Sequence, residues 1–562
     1  MILLKRLKKA KGFLAGIIVA GAAFFFIHAR TSNDPYFEIS KNLDIYANLF
    51  RELNTYYVDP IEPGKLVKVG VDAMLDDLDP YTNYITESDI EEYEFMTTGK
   101  YGGIGASMRK KGDDIYIGDV YEGSPAQKAG LHPGDLMEAI DNEQVTGKSI
   151  EDLSLLLKGS PGTQINMKIK DAFTHAESNK MITRGEIEIS SVPYYNLIGE
   201  QNNIAYVRLT QFTQGCARQV KDAFDSLQRA QPALKGLVLD LRNNPGGLLD
   251  EAVAICNIFV EKNQLVVSTK GKIPDMDKEY RTPGLVWNKD IPLTVLVNHS
   301  SASASEIVAG TMQDLDRGVI IGERSYGKGL VQITRPLGFN ARLKLTIARY
   351  YTPSGRCIQM IDYAHRNADG SVGNVPDSLK KSYKTKMGRT VRSGGGIEPD
   401  VHIKDDPMSM IAVTLYTKNY LFDYATVYAS QHPTIAPASK FSLTDEEFNE
   451  FAKWLGNKDY SYETETEEGL DSLKKMAIKE KYYDDAKDQF EALKTKLSHD
   501  KKQDLMKHKE QVKHMLENEI ASRYYFVRGR IAQGLQYDKE LDEALALINN
   551  ANDYQAILKP GK

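Results

Sequence analysis

The sequence predicts a multidomain α/β protein: an N-terminal anchor and helical segment, a β-type module, an α/β core and an α-helical C-terminal domain. A length of 562 residues exceeds what one core usually holds. Strand-like runs alternate with helical periodicity in the middle of the chain, and a charged region poor in Gly and Pro follows them. The predicted parts are residues 1–30, 31–98, 99–172, 185–404 and 405–562.

Composition excludes several classes of protein. The chain is 41% hydrophobic and 26% charged, as in folded soluble domains, and its net charge of -6 gives no attraction to nucleic acid. The three cysteines, Cys216, Cys256 and Cys357, show no CxxC spacing. We therefore expect neither a disulfide framework nor a metal site, and no cofactor.

The N-terminus has the pattern of an export signal. An apolar run from Phe13 to Ile27 follows a basic region. The basic side chains are Lys5, Arg6, Lys8, Lys9 and Lys11. Because Ile27-His28-Ala29 is a poor cleavage site, an uncleaved anchor over residues 13–29 is favoured over a released form, with a buried core helix as the alternative. The positive charges should remain in the cytoplasm, which places the rest of the chain on the far side.

Periodicity assigns the remaining segments. Helical spacing covers the region around residues 45–53 and 67–78, with a turn at Val58-Asp59-Pro60. Short β-type runs separated by Gly-rich turns occupy 101–172. In the core, the expected strands are 204–209, 236–241, 293–297, 319–321 and 343–348, and the expected helices are 216–230, 249–260 and 304–315. Long charged helices are expected from Asp471 to Leu547.

Ser303 is the first candidate for chemistry. It lies between the apolar strand 293–297 and a helix, in the run Asn298 to Glu306. A serine at a strand-to-helix turn is exposed near free backbone N–H groups, which can stabilise an oxyanion. The same residues also fit a capping box, Ser303-x-x-Glu306, in which the serine is only a helix cap.

Lys328 is the second candidate. It lies in the Gly-rich run Gly322 to Gly329, which resembles a phosphate-binding loop but has Gly329 where Ser or Thr should hold magnesium. An expected strand follows instead of a helix, so Lys328 and Gln332 should share one face. An exposed turn lysine is the alternative.

A Ser/Lys pair would explain both positions. A serine needs a base, and a lysine serves once burial and neighbours lower its pKa from roughly 10.4 toward neutrality. Gln332 can orient the amine without adding charge. His299 offers a Ser/His alternative, but its place in the same short loop makes its reach awkward.

The run Gly236 to Gly247 ends a buried strand in Pro245-Gly246-Gly247. Glycines allow a backbone N–H to approach a reacting carbonyl closely. Gly246 or Gly247, together with Ala304, is the candidate oxyanion hole; a plain tight turn is the alternative.

Together these segments resemble the carboxyl-terminal processing peptidases, the tail-specific protease family. The other landmarks are Tyr350 to Arg356, Gly396 to Asp400, Tyr57 to Pro60 and Leu78 to Tyr81, and the resemblance spans roughly residues 40 to 404. It implies a serine endopeptidase of the Ser/Lys type, with Ser303 as nucleophile, Lys328 as general base and Gln332 assisting. The C-terminal region lies outside it.

Residues 101–172 resemble the PDZ domain of that family. The resemblance makes Tyr101, Gly102, Gly103, Ile104 and Gly105 the loop that binds a substrate's C-terminal carboxylate, while the peptide adds as a strand.

Expected partners are proteins or peptides with accessible C-termini, the membrane through the N-terminal segment, and a second copy or an adaptor through the C-terminal helices. The expected location is the periplasmic side of a bacterial inner membrane. A non-catalytic PDZ scaffold or chaperone is the main alternative, and a nucleotide-binding protein is a weaker one.

Overall fold

The computed structural model describes residues 35–404, 406–497 and 501–559. The expected anchor at residues 1–30 lies outside these residues. Within the part described, no helix combines the length and apolar character needed to cross a membrane. A first compact unit ends at Pro80. In its described residues, the helices α1 (Pro35–Tyr56) and α2 (Pro63–Asp76) confirm the expected helical pattern and flank the expected turn.

The second unit, Tyr81–Lys562, begins with a strand and a helix that lead to the β-type module. These are β1 (Asn83–Ile85) and α3 (Ile90–Thr98). The module has the strands β2 (Lys100–Gly103), β3 (Ala106–Lys111), β4 (Asp114–Val120), β5 (Leu136–Ile140), β6 (Glu143–Gln144), β7 (Gln164–Lys170), β8 (Glu177–Thr183) and β9 (Gly185–Glu188). Its helices are α4 (Pro125–Lys128) and α5 (Ile150–Leu157).

The module extends further than the sequence indicated. Strand β8 pairs along its whole length with β7, so the sheet runs to Thr183 and does not end at residue 172. Strand β9 returns to pair with β2. The segment Glu177–Thr183 is mostly polar and exposed. An edge strand of this composition lacks the apolar alternation by which strands are recognised.

A six-stranded, mostly parallel sheet forms the core, in the order β10-β11-β12-β15-β16-β23. Its strands are β10 (Tyr194–Ile198), β11 (Ile204–Arg208), β12 (Gly236–Asp240), β15 (Leu293–Val297), β16 (Val319–Gly322) and β23 (Val401–His402). The helices on one face are α6 (Cys216–Ala230), α7 (Leu249–Phe259) and α8 (Ala304–Asp314). Cys216 and Cys256 pack in this apolar layer as small buried side chains.

A second sheet stands beside the core sheet and carries the lysine loop. Its path is β1-β18-β13-β14, with β17 paired to β18. The strands are β13 (Leu265–Gly271), β14 (Lys278–Arg281), β17 (Leu330–Gly338) and β18 (Ala341–Tyr351). The strand expected after Gly329 is therefore present as β17. Short hairpins complete this region: β19 (Ile361–Arg366), β20 (Val372–Asn374), β21 (Ser382–Lys384) and β22 (Thr390–Arg392).

The C-terminal region is helical, as expected. Its helices are α9 (Met410–Thr417), α10 (Tyr420–Gln431), α11 (Asp445–Leu455), α12 (Glu465–Lys479), α13 (Lys487–Leu497), α14 (Lys501–Lys507), α15 (Lys509–Gly534), α16 (Lys539–Asn549) and α17 (Ala551–Leu558). Helix α15 is interrupted at Tyr525 and Phe526, whose backbone angles are not helical.

The C-terminal helices do not form a separate appendage. Ala544, Leu547 and Ile548 of α16 pack against the face of the core sheet opposite α6–α8. The Tyr554 hydroxyl of α17 bonds both backbone groups of Leu293 at 2.9 Å. Helices α16 and α17 therefore supply the third layer of the α/β core.

Candidate active site

Ser303 closes the loop between β15 and α8. Its backbone has φ 55° and ψ −112°, a conformation that non-glycine residues rarely adopt. Such strain costs on the order of 1–3 kcal/mol and persists only where the surroundings impose it. The adjoining Asn244 imposes it here, because its carbonyl accepts the Ala302 N–H at 3.0 Å and the Ser305 hydroxyl at 2.9 Å.

Glu306 connects this loop to the lysine loop. Its buried carboxylate accepts the backbone N–H of Ser303 (2.8 Å) and of Lys328 (2.9 Å). It also accepts the Gly327 N–H (2.7 Å) and the Ser325 hydroxyl (2.6 Å). Burial raises the pKa of Glu306 to about 7 although all four donors favour the charged form. The capping-box glutamate thus reaches back to Ser303, as the sequence allowed, and also fixes the position of Lys328.

Lys328 lies just before β17, and its amine faces an aromatic ring. The Nζ atom is 4.3 Å from the centroid of the Tyr81 ring. The Tyr350 hydroxyl donates to the Lys328 carbonyl and lies 3.2 Å from the Ser303 carbonyl. Tyr350 is fully buried, so the lysine loop and the serine loop are braced from beneath by one side chain.

One cavity of about 370 Å³ collects the predicted catalytic groups. The predicted residues on its wall are Ser303, Lys328, Gln332, Ala304, Gly246 and Gly247. Gln332 donates from Nε2 to the Thr346 hydroxyl at 3.0 Å, which fixes its amide in the wall. Three separate segments of the core domain are therefore brought to one site, with a strained serine, a lysine and backbone amides.

Models of three known families match the chain. The model of peptidase family S41 matches residues 203–364, that of a PDZ domain matches 116–171, and that of the probable PDZ-protease C-terminal helical domain matches 411–548. A carboxy-terminal-processing protease of Bartonella bacilliformis is 34% identical over 357 residues, or 63% of this chain and 81% of the relative. The chain belongs to the carboxy-terminal-processing proteases of family S41.

One further relative and one solved structure are also similar to this protease. A probable CtpA-like serine protease of Staphylococcus aureus is 32% identical over 443 residues, which are 78% of this chain and 85% of the relative. Among solved structures, the photosystem II D1 C-terminal processing protease is 26% identical, with 64% of this chain and 92% of that chain covered, at a TM-score of 0.35. The protein is therefore a serine protease with a PDZ domain and a C-terminal helical domain, and the scaffold and nucleotide-binding alternatives are set aside.

The two oxyanion candidates in the Pro-Gly-Gly turn of the protease differ. The Gly246 N–H already donates to Asn244 Oδ1 at 2.9 Å. Among the described residues, the Gly247 N–H has no protein acceptor, and neither has the Ala304 N–H. A side chain at Gly246 would lie 2.8 Å from Ser303 Cβ. Gly246 thus allows the close approach of the two loops, and Gly247 is the better candidate for the donor.

His299 does not take part in the cavity of the protease. Its Nδ1 lies 3.1 Å from Glu323 Oε2, and its side chain is 72% exposed. It is absent from the wall formed around Ser303. This placement argues against the Ser/His alternative.

The predicted carboxylate-binding loop lies at one end of a groove in the PDZ domain. Tyr101 and Ile104 line a cavity of about 170 Å³ between β3 and α5, together with Met108 and Leu157. Gly102 and Gly103 belong to β2, Gly105 has a φ of +77°, and a side chain at Gly102 would lie 2.2 Å from the Gly159 carbonyl. Close backbone approach therefore explains the glycines of this loop.

Sequence reasoning missed four contributors to these two sites. Tyr81 was noted only as part of a family landmark, and Glu306 only as a capping residue. Tyr93 lines the catalytic cavity and bonds the Thr334 hydroxyl at 2.7 Å, whereas Phe95 of the same helix lies in the PDZ groove. The Glu306 spacing was the one usable signal, because a glutamate three residues after the serine must point back to it.

Proposed function

We propose that Ser303 is the nucleophile and Lys328 the general base of peptide-bond hydrolysis in this protease. The main support is that both side chains line one cavity while their backbone N–H groups donate to the same buried carboxylate, Glu306. A shared anchor of this kind fixes the spacing between a nucleophile and its base.

The steps follow from these positions. The neutral Lys328 amine takes the Ser303 hydroxyl proton as Oγ attacks the substrate carbonyl carbon. The resulting ammonium donates that proton to the nitrogen of the leaving amine, and the C–N bond breaks to leave an ester on Ser303. Water then attacks the ester carbonyl carbon while Lys328 takes a water proton and returns it to Ser303 Oγ, which releases the acid.

The developing oxyanion needs donors in a site that excludes water. We assign this role to the N–H groups of Gly247 and Ala304, because both belong to residues of the cavity wall and neither has an acceptor in the described part of the protein. Loss of one such donor costs about 10²-fold or more in kcat. Gln332, bonded to Thr346, would orient the lysine.

The PDZ groove would select substrate C-termini. Its wall is mostly apolar, and a volume of about 170 Å³ suits a single apolar side chain of moderate size. Backbone N–H groups of residues 101–105 would bind the terminal carboxylate while the peptide adds as a strand along β3. Substrates would then be proteins with exposed, apolar C-terminal ends.

We also propose that residues 13–29 hold the protease on the periplasmic side of a bacterial inner membrane. The support is the basic-then-apolar order of the first residues. Association with a second copy or an adaptor through the C-terminal helices stays a prediction.

The test compares residues 31–562 with Ser303→Ala and Lys328→Ala versions. An unfolded protein with an apolar C-terminus is incubated with each, without ATP or added metal, and products are identified by mass spectrometry. We expect cleavage by the parent alone. Full activity of either variant would contradict the Ser/Lys assignment, and a trapped ester on Ser303 with a slow substrate would support it directly.

A further inference from the structure

The catalytic cavity contains a second lysine that the proposed mechanism does not use. Among the described residues of its wall, Lys328 and Lys344 are the two lysines, and no carboxylate lines it. The cavity therefore has two separate amine side chains, of which the mechanism uses one.

Lys344 is held in a rigid position without a counter-ion. It lies on β18, directly between Asn83 of β1 and Thr334 of β17. Its side chain is half-buried. Its ammonium has neither an ion pair nor a hydrogen bond with any of the residues 35–404, 406–497 and 501–559, and the adjoining Glu94 pairs with Arg342 at 3.7 Å.

Lys344 belongs to the part of the cavity wall that adjoins α3, the helix before the PDZ domain. Thr334, its cross-strand neighbour, bonds Tyr93 of α3, and α3 runs directly into β2 and the carboxylate-binding loop. From Leu330 to Thr334 the strand advances about 13 Å at roughly 3.3 Å per residue. An extended substrate advances at the same rate, so Lys344 lies about three to five residues from the scissile bond.

We propose that Lys344 is a specificity-determining residue that binds a substrate carboxylate about three to five residues to the C-terminal side of the scissile bond. The carboxylate is an Asp or Glu side chain or, in a short tail, the C-terminal carboxylate itself. The proposal rests on the proposed function, because it assumes that the tail runs from Ser303 toward the PDZ loop.

Electrostatics favours a Lys344 that binds a substrate carboxylate over a Lys344 that has no role in substrate binding. Burial lowers the pKa of Lys344, which means that the ammonium is poorly solvated where it lies. A partly desolvated cation without a partner gains more from an incoming carboxylate than a solvent-exposed lysine does. A selectivity of about tenfold in kcat/KM is of the size measured for partly buried charge pairs.

The experiment uses the full protease and fluorogenic peptides that differ only in Glu or Gln at the third, fourth or fifth residue after the cleaved bond. A further pair ends at these positions with a free carboxylate or an amide, which distinguishes side-chain from terminal carboxylates. The variants are Lys344→Gln, Lys344→Arg and, as a matched control, Lys278→Gln, an exposed lysine of the same sheet on β14.

We expect the parent and Lys278→Gln to prefer the carboxylate by about tenfold in kcat/KM at one of these positions. The Glu-to-Gln ratio should fall to near one in Lys344→Gln and be retained in Lys344→Arg, whatever the absolute rates. A parent without preference at any position, or a preference that survives in Lys344→Gln, overturns the proposal. If the parent cleaves none of the peptides while folded, the proposed function itself fails.

Discussion

The amine of Lys328 lies 4.3 Å above the ring of Tyr81, inside the cavity that Ser303 shares. The face of an aromatic ring attracts a cation, so Tyr81 favours the ammonium form over the neutral amine that attacks Ser303. The Tyr81 ring is in turn held edge-on by Tyr363, with centroids 5.9 Å apart. The ring thus opposes activation of the base while it fixes the position of that base.

The first prediction concerns Tyr81→Leu. Removing the ring should move the acid limb of the kcat/KM profile to lower pH, because a cation–π contact of about 0.5–2 kcal/mol stabilises the ammonium form. The plateau value of kcat/KM above the acid limb should fall, because the Lys328 amine is less well positioned. Tyr81→Phe is the matched control, as it keeps the ring and removes only the hydroxyl. An unshifted acid limb in Tyr81→Leu would show that the ring does not act on the base.

The second prediction concerns the carboxylate shared by the two loops. Glu306→Gln replaces one acceptor oxygen by an NH₂ group, which opposes two of the four present donors. The Ser303 and Lys328 loops should separate slightly, and a misplacement of about 1 Å costs on the order of 10²-fold in kcat. KM should change little, because the residue does not touch the substrate. Glu323→Gln, nearby and outside the cavity wall, serves as the control.

The third prediction follows from the raised pKa of Glu306, about 7 in the folded protein. In the unfolded chain the same carboxyl titrates near 4.3, so between these pH values the folded state binds an extra proton. Its contribution to the free energy of unfolding is fully present below about pH 4.3 and is lost progressively as pH rises to 7, by about 4 kcal/mol. The difference in Tm between the parent and Glu306→Gln should therefore narrow from pH 5 to pH 8. A constant difference would contradict the assignment.

Much of the core was accessible from sequence because its signals are local. Strands such as Leu293–Val297 and helices such as Cys216–Ala230 have the predicted bounds, since apolar runs and helical spacing act over a few residues. Ser303 and Lys328 were likewise chosen as catalytic candidates from strand and turn patterns. Tyr81 and Tyr93 were not, because contacts across more than two hundred residues leave no local pattern.

The third layer had an overlooked signal. Every residue of β12, Gly236–Asp240, is buried, which requires both faces of the sheet to be covered. Helices α6–α8 cover only one face. The unbroken apolar run of residues 237–239 is typical of such a strand, so the sequence already indicated helices on both faces of the sheet. The helices that cover the other face lie about three hundred residues further on, and only tertiary packing identifies them.

The fourth prediction concerns the link between this layer and the active-site loop. Arg242 follows β12 and bonds both oxygens of Asp538, the N-cap of α16, at 2.9 and 2.6 Å. Arg242 and Arg208 hold the pKa of the buried Asp240 well below its usual range, although burial alone would raise it. Asp538→Ala removes one of the partners of the largely buried Arg242. This loss should lower the free energy of unfolding by about 3 kcal/mol.

Urea unfolding followed by fluorescence measures this cost, and kcat measures its effect on the adjoining Pro245-Gly246-Gly247 turn. We expect both the midpoint and kcat to fall in Asp538→Ala. Asp542→Ala on the same helix is the control, because no ion pair of Asp542 is present in the described part of the chain. Equal effects of the two variants on the urea midpoint and on kcat would show that the Arg242–Asp538 pair contributes neither to stability nor to activity.

The fifth prediction concerns helix α3, which borders both cavities. Phe95 lies in the PDZ groove with its ring edge-on to Tyr101 at 5.3 Å, whereas Tyr93, Met96 and Thr97 line the catalytic cavity. A peptide that enters the groove must repack Phe95, and a helix this short transmits the displacement to its other face. Occupancy of the PDZ domain should therefore change turnover at Ser303.

The measurement uses a short reporter peptide with an amidated C-terminus and a separate decapeptide with an apolar C-terminus. In the parent, the decapeptide should raise the rate of reporter cleavage. In Phe95→Ala it should still bind by fluorescence anisotropy but lose this effect, because the groove no longer acts on α3. Met181→Ala, exposed on β8 of the same domain, should behave as the parent does. Full stimulation in Phe95→Ala would mean that α3 is not the connection. No stimulation in the parent would mean that the PDZ domain acts by tethering substrates alone.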